Sequence, residues 1–482
     1  MEANEIVMKK FWEDHSKDGS VKEMMLDENA EAFSDLEKAE LLSLLPSVTN
    51  KDILEIGAGI GRFTGDLAET AKSVLAVDFM ENFIQLNKKS HGHKTNTSFL
   101  QADVNHLQLP EDSYDIVFSN WLMMYLTNDE VRKLAKNALK WLREDGYFFF
   151  RESCFHQSGN KKRGFNPTEY RSPTEYNSLI QSEYVTEGDG SHYQFELMSM
   201  QSVKTYIEVK GNCNQICWLM KKVRRDSPPI EDDLAFNRLP ILQWMCGENY
   251  MVTGGNAITK LLLPYFNIDL NSTLLDYGTG LGGTAFYIAQ EFDASIRAIG
   301  SRADAITNAV KSANDIKEKR VAFEVQTDSM FAMESNLLDA VICRDYFSQV
   351  SAKSELLRIF KNGLKPGKRL VLTDVCRTAE SNEGGDVVES MLGPHLITKD
   401  RYKEIFSSSG LTLVEALDRT DVYLHHLKQE FNKLMSGIQS FLQQFSMEDY
   451  KNMHDEWCKK IELFEGDSLK WVVLVAEKEV EN

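Results

Sequence analysis

Two patterns alternate along the chain: short apolar runs that stop at a glycine or an acid, and longer stretches with helical periodicity. DILEIG (52–57) is an apolar run ending in glycine, as a strand buried on both faces of a parallel sheet reads. GRFTGDLAETA, directly after it, suits a helix. SVLAVDF, TSFLQADV and YDIVFSN predict the second, third and fourth strands, and GYFFFRES a fifth. DEVRKLAKNALKWLRE, between the last two, is an amphipathic helix. Strands alternating with helices predict an α/β fold, a mostly parallel sheet with helices on both faces.

The whole order then returns. ILEIGAGIGRFT (53–64) is echoed by LLDYGTGLGGTA (274–285), YDIVFSN by LDAVICR, and LREDGYFFFRESC (142–154) by LKPGKRLVLTDVC (364–376). The offset stays near 221–222 residues, too long for a solenoid unit. It fits two tandem copies of one domain. The linker is placed at Arg224-Arg225-Asp226-Ser227-Pro228-Pro229, where two prolines follow a charge run. The expected domains are therefore 1–228 and 229–482.

Composition narrows the function classes. Lys+Arg total 54 against 73 Asp+Glu, a net charge of −19, which argues against a nucleic-acid partner, since such affinity comes largely from neutralising phosphates. Seven cysteines without CxxC spacing suggest reduced thiols, a cytoplasmic setting and no metal. No apolar run approaches the ~20 residues of a membrane span, and the N-terminal segment is too acidic for a secretory signal. The oligomeric state stays open.

The chemistry concentrates at the first glycine loop. Gly57, Gly59 and Gly61 allow a tight turn and close approach of the backbone to a ligand. The spacing is GxGxG rather than the GxGxxG of dinucleotide sites. Glu55, two residues earlier, suits a cationic ligand better than a pyrophosphate, and S-adenosylmethionine carries both an ammonium and a sulfonium. Asp78 ends the next strand, where a carboxylate accepts ribose hydroxyls. Asp103, at the end of the third strand, is placed for the adenine amino group. Phe79 and Val104 flank these two acids, and Ser119 and Asn120 end strand four beside the methionine portion.

These features resemble a class I S-adenosylmethionine-dependent methyltransferase, Rossmann-like in each copy. The likeness extends further. FWEDHSKDGSVKEMMLD (11–27), FSNWLMMYL (118–126), FFFRESCFHQSG (148–159) and NQICW (214–218) resemble the first domain of the phosphoethanolamine N-methyltransferases of plants and nematodes. GENYMVTGG (247–255) and the second glycine loop resemble their second domain. The resemblance covers nearly the whole chain. It implies S-adenosyl-L-methionine as cofactor and phosphoethanolamine as substrate, on the route to phosphocholine.

Such a reaction needs a proton acceptor and an anion-binding pocket. Single-domain relatives use a Tyr–His pair, Tyr on the N-terminal lid and His after strand four. Here the residue after strand four is Tyr125 and the lid carries His15, so these two are the catalytic candidates, the roles being exchanged. For the phosphate, the segment 151–176 is locally basic, with Arg151, His156, Lys161, Lys162, Arg163 and Arg171. The resemblance singles out Tyr170 and Arg171. Arg151, Tyr176 and Trp12 complete the substrate-binding set.

The second copy has lost this set. Gly300 stands where the first copy has Asp78, Gln349 occupies the position after strand four, and GPHLITKDRY (393–402) lacks the paired tyrosines. The pattern of an intact first half and a degenerate second half resembles the nematode form active in its N-terminal domain. Two alternatives remain: a methyltransferase acting on another small amine or phosphorylated acceptor, and a non-catalytic scaffold of methyltransferase fold.

Overall fold

The computed structural model describes residues 2–14, 19–160, 165–229, 238–266, 268–327, 331–379 and 385–480. The chain forms two compact units: Met1–Asp232 with Ala313–Lys319, and Asp233–Ser312 with Arg320–Asn482.

The first unit is built on strands β1 (Asp52–Ile56), β2 (Ser73–Asp78), β3 (Thr97–Gln101), β4 (Tyr114–Asn120), β5 (Leu142–Ser153), β6 (Tyr184–Thr186), β7 (His192–Ser202) and β8 (Gln215–Arg225). Their order is β7-β8-β5-β4-β1-β2-β3, with β6 on the far side of β7. The pairs from β3 through β5 are parallel, and β8 runs antiparallel to both neighbours. Ile53, Leu54 and Ile56 of β1 are at most 1% exposed, because the centre of a parallel sheet is covered on both faces. The chain leaves β1 toward β2 and β3, then crosses back to β4. The carboxyl ends of β1 and β4 therefore form the switch point where ligands bind in such sheets.

The second unit repeats the plan with β9 (Thr273–Tyr277), β10 (Ser295–Gly300), β11 (Val321–Gln326), β12 (Leu338–Arg344), β13 (Leu364–Arg377), β14 (Thr412–Asp418) and β15 (Leu469–Glu477), ordered β14-β15-β13-β12-β9-β10-β11. Ile56 pairs with Val77 as Tyr277 pairs with Ile299. One residue further along, Asp78 and Gly300 occupy the same place in their sheets.

Three local expectations are corrected. In GRFTGDLAETA only Thr64–Leu67 is α-helical, whereas the second unit's counterpart runs Gly283–Phe292. Gly65 lies inside the short helix and costs about 1 kcal/mol relative to alanine. The amphipathic helix stops at Trp141, because Leu142 already begins β5 beside Tyr114; its start is fixed by a capping box between Thr127 and Glu130. Arg224 and Arg225 belong to β8 rather than to a linker. They pair with Tyr193 and His192 and donate to Asp189 and Glu196.

Candidate active site

Over the carboxyl ends of β1, β2 and β4 lies one cavity of the first unit. The glycine loop forms its floor. Gly57 and Gly61 adopt φ of +66° and +87°, a region L side chains rarely enter. A Cβ at Gly61 would also lie 2.2 Å from Asn87 Oδ1. Asp78 ties the loop to β2: its Oδ2 accepts the Gly59 N–H at 2.9 Å and its Oδ1 the Met80 N–H at 2.9 Å. Burial raises the Asp78 carboxyl to about 6, against the pull of these N–H groups.

Of the proposed cofactor residues, Glu55, Gly57, Gly59, Asp78, Phe79, Asp103, Val104 and Asn120 all line this cavity. Gly61 and Ser119 are not among the lining residues, and Ser119 is fully buried. Asp103 is held by an Asx turn, its Oδ1 accepting the Asn105 N–H at 2.8 Å. Glu55 is 2% exposed and accepts from Thr64 Oγ1 at 2.5 Å. Burial pushes its carboxyl up to about 8; the Thr64 bond opposes this, and the Asp78 and Asp66 charges add to it.

This shift predicts a pH effect. The folded value lies above the ordinary 4.5, so the stability Glu55 contributes is complete below 4.5 and disappears as pH rises through about 8. Glu55→Gln removes that dependence. Thermal melts of the ligand-free protein should show the variant gaining on the wild type from pH 6 to pH 9. A constant difference across that range would contradict the shift.

Trp12, Tyr125 and Tyr170 line the same cavity. Trp12 comes from the helix Glu2–Asp14 and meets Tyr125 edge-on, with centroids 5.4 Å apart. Tyr125 ends the 3₁₀ turn Met123–Tyr125 after β4 and is 7% exposed. Asn166 donates to the Tyr170 hydroxyl at 3.1 Å. His15, Lys161, Lys162 and Arg163 lie outside the described residues. His156, on the same basic segment, is held by its imidazole contact with Asn214.

The remaining substrate candidates are corrected. Arg171 does not face the cavity. Its Nε donates to Asn128 Oδ1 at 2.7 Å, its Nη1 to the Met123 carbonyl at 3.0 Å, and its Nη2 to the Leu126 carbonyl and Glu169 at 2.5 Å each. Arg151 is fully buried against Glu37 and stacks on Trp121 at 3.6 Å. Tyr176 is fully buried and packs on Phe150 and Trp218. The reason is common to all three: each side chain is turned into the protein against residues distant in the chain.

Arg171 has a different task, shared with Glu152. Glu152 of β5 is fully buried and accepts the N–H groups of Leu122, Met123 and Met124 at 3.1, 2.7 and 3.2 Å. Its carboxyl is raised by burial to about 7, opposed by those N–H groups. Glu152 thus grips the amides of the turn and Arg171 its carbonyls, and together they bracket Tyr125. Sequence reasoning missed Glu152; β5 carries three acids, Glu144, Asp145 and Glu152, and only burial separates the last from the other two. Arg171→Ala should cost about 3 kcal/mol of stability and lower kcat more than it raises KM. A changed KM with unchanged melting would return Arg171 to the substrate set.

Among the described residues no cluster of three or more His, Cys, Asp or Glu is placed to hold a metal ion, and no helix is long and apolar enough to cross a membrane. The strand order, the glycine loop and the acids at successive strand ends define the first unit as an S-adenosylmethionine-dependent methyltransferase of class I, and the second unit repeats its fold. Methyltransferase-domain families match residues 54–150 and 268–453. The chain is 36% identical to phosphoethanolamine N-methyltransferase 3 of Arabidopsis thaliana over 98% of both chains. It is 30% identical to phosphoethanolamine N-methyltransferase 1 of Caenorhabditis elegans, over 88% of this chain and 90% of that one. The solved structure of Haemonchus contortus phosphoethanolamine N-methyltransferase 1 with phosphoethanolamine and S-adenosylhomocysteine matches with a TM-score of 0.75 and 25% identity, covering 99% of this chain and 98% of that one. The chain belongs to the phosphoethanolamine N-methyltransferase family. Identity to this plant relative exceeds identity to this nematode one.

Proposed function

We propose that the protein transfers a methyl group from S-adenosylmethionine to the amine of phosphoethanolamine, and that residues 1–228 carry the reaction. The observation that carries this reading is one cavity lined both by the acid-and-glycine set and by Trp12, Tyr125 and Tyr170. Asp78 and Asp103 hold the adenosine portion, and Glu55 and the loop hold the methionine portion. Holding donor and acceptor together supplies much of the acceleration.

An alkyl ammonium with a pKa of about 10 must lose a proton before it attacks. Tyr125 and His15 take that proton or orient the amine for its loss. The nitrogen lone pair then forms the N–C bond as the S–CH₃ bond breaks, and S-adenosylhomocysteine leaves neutral at sulfur. The second unit keeps the fold without turnover. Gly300 gives it no carboxylate at the ribose position, and Gln349, in place of Tyr125, packs against Gly393. The cytosolic setting is part of this reading and is supported by seven unpaired cysteines.

The test compares labelled methyl transfer to phosphoethanolamine, ethanolamine and phosphomonomethylethanolamine. Phosphoethanolamine should be the preferred acceptor among the first two. Preference for ethanolamine would overturn the phosphate-dependent reading.

A further inference from the structure

The glycine loop of the first unit rests on polar side chains, which packing alone does not require. Asn87 and His91, one turn apart on the helix Glu81–His91, both meet it. Asn87 lies against Gly61, and His91 Nε2 donates to the Gly61 carbonyl at 3.1 Å. Asn87 Nδ2 donates to Thr64 Oγ1 at 2.9 Å, and Thr64 Oγ1 donates to Glu55 Oε2 at 2.5 Å. A threonine hydroxyl has one proton to give. With Asn87 donating to its oxygen, that proton goes to Glu55 Oε2. Glu55 lines the cavity, so Oε1 is the carboxyl oxygen left to face a ligand.

This arrangement works against stability. Asn87 and Thr64 are fully buried, and among the described residues Asn87 Oδ1 meets no donor. A buried polar atom without a partner is costly. The second unit shows that the fold does not need it. In both units the helix after the second strand begins three residues beyond that strand, at Glu81 and at Ala303. Ala309 then stands where the first unit has Asn87, and Ala285 where it has Thr64; both alanines are fully buried. The acid of the second loop, Asp276, accepts instead from Thr279 Oγ1 of its own loop, at 2.6 Å. The amide and the hydroxyl are present where Asp78 is present, and absent where Gly300 replaces it.

We infer that Asn87 is a positioning residue for the methyl donor: through Thr64 it fixes the Glu55 carboxyl so that Oε1 meets the methionine portion of S-adenosylmethionine, an inference that rests on the methyl-transfer reading. Neither Asn87 nor Thr64 lines the cavity, so both act through Glu55. Donor binding therefore depends on a buried amide that touches neither reactant.

The test uses the full chain with Asn87→Leu, Thr64→Val, Thr64→Ser and the Asn87→Leu/Thr64→Val double variant. Calorimetry measures the affinity for S-adenosylmethionine, beside KM for phosphoethanolamine and thermal melting of the ligand-free protein. Asn87→Leu and Thr64→Val keep the shape of the side chains they replace. Each should weaken donor binding about 10-fold and leave KM for phosphoethanolamine unchanged. Thr64→Ser keeps the hydroxyl and should bind as the wild type does. The double variant should bind no more weakly than Thr64→Val alone, because the two side chains act in one series. An Asn87→Leu protein that melts lower but binds the donor with wild-type affinity assigns Asn87 to packing and overturns the inference. Additive losses in the double variant overturn it as well. Should Asn87→Leu fail to fold, Asn87→Asp keeps the shape and replaces the donor group by an acceptor, and wild-type affinity there overturns it equally. A wild type that binds S-adenosylmethionine but does not methylate phosphoethanolamine defeats the functional reading alone, since calorimetry still reports on Asn87.

Discussion

Asp78→Ala is expected to abolish methyl transfer and to weaken S-adenosylmethionine binding by about 100-fold or more. A carboxylate at the end of β2 accepts two ribose hydroxyls, and hydrogen bonds to charged groups contribute about 1.5–3 kcal/mol each. In this chain Asp78 does more. It also accepts the Gly59 N–H, so the variant loosens the loop that meets the methionine portion. With its carboxyl at about 6, Asp78 is ionised at pH 7.5, where calorimetry and turnover are measured. The same experiment separates the two halves of the chain, because Gly300 leaves the second unit without this group. Turnover retained in Asp78→Ala would place catalysis in the second unit. Asp276→Ala, at the second unit's counterpart of Glu55, is the control: Asp276 is 1% exposed and accepts from Thr279 Oγ1, so its loss should lower the melting temperature and leave turnover nearly intact. A rescue by Gly300→Asp is not expected, because Gln349 still stands where the first unit has Tyr125.

Tyr125→Phe is expected to lower kcat by about 10²–10⁴-fold, the usual contribution of a positioned acid or base, while donor affinity stays at the wild-type value. The phenyl ring keeps the edge contact with Trp12 at 5.4 Å and loses only the hydroxyl. His15→Ala should lower kcat as well. If Tyr125→Phe alone is silent, the imidazole is the proton acceptor and Tyr125 only shapes the pocket. Glu152→Gln tests the bracket behind both. It keeps the side-chain volume but weakens the acceptor for three backbone N–H groups, so kcat should fall without a matching loss of donor binding. Because burial raises the Glu152 carboxyl to about 7, protonation on acidification through that value weakens the grip on the turn. The wild-type kcat should therefore decline below pH 7, and the Gln variant should show a flatter profile there.

The amino-acid pattern by itself determined the two α/β copies, their strands, the glycine loop and the acids at successive strand ends. These are local facts: an apolar run bounded by glycine is a buried strand wherever it packs, and a carboxylate on its last residue lies at the sheet's ligand-binding edge. Tertiary structure decided which cations face the cavity. Arg151 and Arg171 lie on the basic segment that the sequence offered for phosphate, yet Glu37, 114 residues from Arg151, and the Met123 and Leu126 carbonyls, 48 and 45 residues from Arg171, take their donors. Arg62, inside the glycine motif and not singled out there, is the arginine that lines the cavity. A charged side chain is directed by the partner that folding brings to it, and no spacing along the chain records that partner.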